Sequence, residues 1–88
     1  MNRKSAAEIS QRLAEELNQA TVDYMRLQRV EMELIMEVPS GIPAPDGMVR
    51  ILNAGKEARS AFAKYQRAVK RYREFIDQRI IPEDLTGG

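Results

Sequence analysis

The sequence predicts an all-α fold: a long antiparallel hairpin of two helices, with two such hairpins pairing into a dimeric four-helix bundle. Three observations lead there. Apolar residues recur at spacings of three and four along two long stretches, which is the period of one helix face. A single cluster of helix-breaking residues divides those stretches. Folding the chain back at that cluster sets apolar positions opposite apolar positions along the whole length.

The first helix is predicted over about residues 5–38. Ser5-Ala6-Ala7-Glu8 fits a capping box, in which the serine hydroxyl and a glutamate three residues on satisfy orphan amides at the helix start. Ile9, Leu13, Leu17, Ala20, Tyr24, Leu27, Leu34 and Val38 then form one apolar stripe, interrupted only at Glu31. Pro39 disfavours helical backbone at Val38 and sets the end.

Residues 39–47 read Pro-Ser-Gly-Ile-Pro-Ala-Pro-Asp-Gly. Three prolines make this connector stiff. Ile42 is expected to cap the open end of the core, and Asp46 to serve as N-cap of the next helix.

The second helix is predicted over about residues 47–80. Its stripe is Met48, Ile51, Gly55, Ala58, Phe62, Tyr65, Val69, Tyr72 and Ile76, and Ile81-Pro82 ends it. The tail, residues 81–88, offers little apart from Leu85 to hold it. In a hairpin, Leu34 then faces Ile51, Leu27 faces Ala58, Tyr24 faces Phe62, Leu17 faces Val69, Leu13 faces Tyr72, and Ile9 faces Ile76. The whole chain reads as one domain of 88 residues, in the size range where a single core is marginal.

A hairpin alone leaves both stripes half covered. Met25, Met32 and Met36 form an apolar flank beside the first stripe, and Ala54, Ala61, Ala68 and Phe75 repeat every seven residues beside the second. Methionines make an adaptable surface, and alanines let a further helix approach closely. Both flanks are therefore expected to lie in a protein interface.

Glu31 is the one charge in the apolar stripe, and the register sets it opposite Gly55, which leaves space beside the carboxylate. It is expected either to fix register or partner choice, paired with Arg50, Arg59 or its own copy across a dimer axis, or to lean into solvent against one arginine. A metal is not expected, because the chain has no histidine and no second inward-facing carboxylate.

Other chemistry is thinly supplied. Without histidine, the serines have no ordinary activating base. The absence of cysteine removes disulfides and thiolate chemistry. Gly55-Lys56 lacks the upstream glycine of a phosphate-binding loop. The terminal Gly87-Gly88 resembles the end of ubiquitin-like modifiers, but their β-grasp fold is incompatible with this helical pattern. No apolar run resembles a signal peptide or a membrane span, so a cytoplasmic protein without membrane contact is expected.

Charge is high at 31% but nearly balanced, with a net of +1. It is unevenly placed. Residues 1–38 carry five basic and seven acidic groups, whereas residues 39–88 carry nine and six. Lys56, Arg59, Lys64, Arg67, Lys70 and Arg71 are expected on the outer face of the second helix, where a basic stripe can follow a phosphate backbone. These readings favour a non-enzymatic assembly or adaptor protein that binds itself and another protein, with no cofactor and no small-molecule substrate. The alternative is a small nucleic-acid-binding regulator working through the basic stripe.

Overall fold

The computed structural model describes residues 5–37 and 45–85, with backbone alone for Pro45 and Asp46. It is all-helical: α1 spans Ala6–Met36, α2 spans Pro45–Gln78, and one 3-10 turn covers Glu83–Leu85. The two helices pack against each other as a hairpin. At 1.5 Å per residue their 31 and 34 residues extend about 46 and 51 Å. The molecule is a rod of 60 × 20 × 16 Å. Its radius of gyration is 18.2 Å, against about 12 Å for a compact domain of this length.

Local signals set the ends. Ser5 is the N-cap of α1, and its Oγ accepts from the Glu8 amide at 3.2 Å. The helix stops two residues short of the predicted end, with the Glu37 amide closing the last turn onto the Glu33 carbonyl at 3.0 Å. On α2 the expected cap is displaced. The helix already includes Pro45, so Asp46 lies inside the first turn and not at the N-cap. Proline suits the first helical position, where its missing amide has no partner to lose. Ile42 and Gly87-Gly88 lie outside the described residues.

α2 ends at Gln78 through Arg79, whose backbone is left-handed (φ 58°). The Arg79 amide donates to the Phe75 carbonyl at 3.0 Å, which is the bond of a left-handed helix cap.

The seam differs from the predicted one on one helix. Along α1, Ile9 and Leu13 are buried, while Leu17, Ala20, Tyr24, Leu27, Glu31 and Leu34 are half-buried, as the stripe implied. Along α2, the fully buried positions are Ala54, Gly55, Ala58, Ala61, Ala68 and Phe75. The alanines expected on an outer flank are therefore the hairpin's own seam, and Phe75 joins them. Phe62 and Ile76, expected in the seam, lie at its edge, with Ile76 44% exposed. Small side chains on α2 facing leucines and tyrosines on α1 let the helices approach and interdigitate, which phenylalanine and isoleucine in that row would prevent.

The register itself holds. The Tyr24 and Phe62 rings stand 5.0 Å apart, with Tyr65 stacked beside both. Ile9 packs with Phe75 rather than Ile76, in a cluster with Leu13 and Leu85 on which Tyr72 also packs.

The tail is held. Leu85 is only 6% exposed, folded back onto that cluster by the 3-10 turn. Arg71 fixes the fold-back. Its Nη1 and Nη2 donate to the two Asp84 carboxylate oxygens, each at 2.9 Å. Nη2 also donates to Glu16 Oε2 on α1 at 3.1 Å. Nε lies 2.9 Å from Glu16 Oε1, a purely ionic contact because its N–H finds no acceptor in line.

The Asp84 hydrogen bonds, aided by both carboxylate charges and opposed by burial, raise the Arg71 pKa. A raised pKa means this stabilisation is complete below the ordinary arginine range and is lost only as pH climbs through the folded value. Arg71 therefore keeps its proton, and the clamp its charge, throughout the neutral range. Arg71→Ala is expected to cost about 1–2 kcal/mol after allowing for the exposed carboxylates. It should also free Leu85, read as faster tryptic cleavage after Arg79. Unchanged cleavage and stability would show that the clamp does not hold the tail.

Candidate interaction surface

Two sides of the hairpin flank the seam, and they differ in kind. On α1, Met25 and Met32 each follow a seam residue, Tyr24 and Glu31, by one position. On α2, Leu52, Gly55 and Phe62 likewise follow Ile51, Ala54 and Ala61. Contacts from Tyr24 to Phe62 and from Glu31 to Gly55 put these positions of both helices on the same side. One step along a helix is 100°, so residues at three- and four-residue spacings from them share that side. It therefore gathers Met25, Met32, Ile35 and Met36 from α1 with Met48, Leu52 and Phe62 from α2. All are exposed, Met36 to 77%. They cluster toward the loop end, whereas the buried core cluster of Ile9, Leu13, Phe75 and Leu85 sits at the other end. Val22 and Val49 lie on the outward backs of the helices, and Val30 toward the other side.

The opposite side is an open groove of about 880 Å³ with an apolar floor and charged walls. Ala20, Leu27, Ala61 and Ala68 form its floor, and both signs of charge line its walls, including Asp23, Glu57, Lys64 and Arg67. Asp23 also meets Arg26 at 3.8 Å. The charged walls keep water along this groove, whereas the side carrying the exposed methionines has few charged groups.

Near the middle of the apolar side the Glu31 carboxylate leans over Gly55. A methyl group placed on Gly55 would lie 2.9 Å from Glu31 Oε2 and 3.3 Å from Arg59 Nη1. The two charged groups thus stand at one level, one on each helix. Among the described residues neither has an ion-pair partner within 4.0 Å.

Of the residues singled out in the sequence, Met25, Met32 and Met36 lie on the exposed apolar side. Ala54, Ala61, Ala68 and Phe75 do not, because α1 covers them. Lys56, Arg59, Lys64, Arg67 and Lys70 are exposed, with Lys70 3.8 Å from Glu74. Arg71 is not on an outer stripe; it is engaged by Glu16 and Asp84. Leu52 was missed, although it is an apolar residue lying off both predicted stripes. Among the described residues no three acidic side chains gather as a metal site, and no helix is long and apolar enough to cross a membrane. No known protein family matches this chain, and no curated protein or solved structure is significantly similar to it.

Proposed function

We propose that this chain is a non-enzymatic assembly or adaptor protein of the cytoplasm that works as a homodimeric four-helix bundle. One observation carries the reading: Met25, Met32, Ile35, Met36, Met48, Leu52 and Phe62, all exposed, lie together on one side of the rod, while charged walls line the groove on the other. The surface area supports it. The chain exposes 6927 Å², about 1,700 Å² more than the roughly 5,200 Å² usual for a monomer of this mass. That excess is about twice the roughly 800 Å² that one partner contributes to a standard interface.

The methionines suit such a role, since their flexible side chains fill an interface without demanding one fixed shape. Pairing would cover the apolar side of each hairpin and leave the charged grooves outward, as surfaces for a second protein. Nucleic-acid binding has less support: the basic stripe loses Arg71 to an internal clamp, and Phe62, the one exposed aromatic ring among the described residues, is engaged by Tyr24 and Tyr65.

Thermal unfolding tests the reading. For a dimer that melts to unfolded monomers, the melting temperature is expected to rise by several degrees with each tenfold increase in protein concentration. A melting temperature independent of concentration from micromolar to millimolar would contradict it.

A further inference from the structure

We infer that Glu31 and Arg59 pair between two copies of this chain, and so fix how the proposed dimer is aligned: loop ends together, with α1 of each copy against α2 of the other. This rests on the dimer proposed above and deepens it. The occupant of the apolar side is then a second copy of the same chain.

The geometry supplies the argument. Glu31 and Arg59 flank Gly55 at one level on the same side, one from each helix, and neither has an ion-pair partner within the hairpin among the described residues. Covering that side with apolar surface would strand two charges, at a cost only pairing removes. A two-fold interface is self-complementary, so if Glu31 meets a partner residue, that residue meets Glu31 of the other copy.

Face-to-face pairing allows two simple alignments. A two-fold axis across the rod at this level sets α1 on α1 and α2 on α2, placing Glu31 against its own copy and Arg59 against its own copy. Like charges then face each other. An axis along the rod sets α1 on α2, so that each Glu31 meets the other copy's Arg59 and both charges are neutralised twice. That second alignment also lays one loop-end apolar half directly on the other. Gly55 contributes the room: without a side chain there, the carboxylate can sit against α2 within reach of a partner's guanidinium.

Charge-reversed variants test the inference, with the mass in solution as readout and circular dichroism to confirm that each remains helical. Glu31→Arg alone, or Arg59→Glu alone, puts like charges across the interface and is expected to raise the dimer dissociation constant about a hundredfold. Mixing the two single variants should restore a dimer containing one copy of each, because every facing pair is then opposite in charge. The double variant E31R/R59E should form a homodimer on its own.

If the single variants dimerise as tightly as the unaltered chain, the inference is overturned while the dimer stands. If they are weakened but mixing does not rescue them, the pair acts within one hairpin, and the inference is again overturned. A monomeric unaltered chain would instead overturn the dimer reading itself.

Discussion

Leu13→Ala is expected to cost about 3 kcal/mol, within the range of about 2–5 kcal/mol for deleting a buried leucine. Leu13 is 1% exposed, the largest side chain among the described residues to be so fully enclosed. It packs with Ile9, Phe75 and Leu85, where the tail closes the open end of the hairpin. Little elsewhere can compensate. Among the described residues, half of the buried apolar ones are alanines, each contributing a single methyl. A domain of this size is marginal in any case, so 3 kcal/mol is a large share of what it has. Ile76→Ala is the informative control. The apolar period puts Ile76 in the core, yet it is 44% exposed, and its truncation should cost less than about 1 kcal/mol. Urea denaturation at one fixed protein concentration compares them. Equal losses would mean that the seam of α2 is not rotated toward its alanines.

The second large effect concerns association and leaves the fold alone. Met32→Glu combined with Leu52→Glu is expected to weaken self-association about a thousandfold. Both side chains are more than half exposed in the hairpin, so about 1 kcal/mol of apolar burial remains for each to gain on pairing. Two positions count twice in a two-fold interface, which gives about 4 kcal/mol, or about a factor of a thousand. The added carboxylates only increase the penalty. Sedimentation equilibrium should show a monomer where the unaltered chain is a dimer, with helix content unchanged. A doubly substituted chain that still dimerises with the original affinity would move the interface off this side, to the groove opposite.

How much of this was legible in the sequence depends on which residues are asked. The cap at Ser5 and the break after Met36 were legible because caps and prolines act locally. The opposition of Glu31 and Gly55 was legible too, since each departs from its stripe and the helix period fixes the level at which they meet. The rotation of α2 was not. Ile51, Ala58, Tyr65 and Tyr72 belong to the seam under either reading, and the remaining positions are filled by Ala54, Ala61, Ala68 and Phe75 or by Gly55, Phe62, Val69 and Ile76. Both rows repeat every seven residues, so period cannot choose between them. Close packing chooses, and it prefers the small side chains. That choice turned the expected alanine interface inward and left Leu52 and Val49 outward. The Arg71 clamp was hidden for a different reason: it exists only because the tail folds back, and Pro82 with a lone Leu85 is too sparse a pattern to announce a docked turn.

Two copies of the hairpin are expected to meet on its methionine-lined side. Light scattering on a sizing column, across a wide range of loading concentrations, tests it most directly. The chain weighs 10.0 kDa, and the expected result is a species of twice that mass which gives way to monomer only on strong dilution. A folded, helical monomer at every concentration would contradict this expectation.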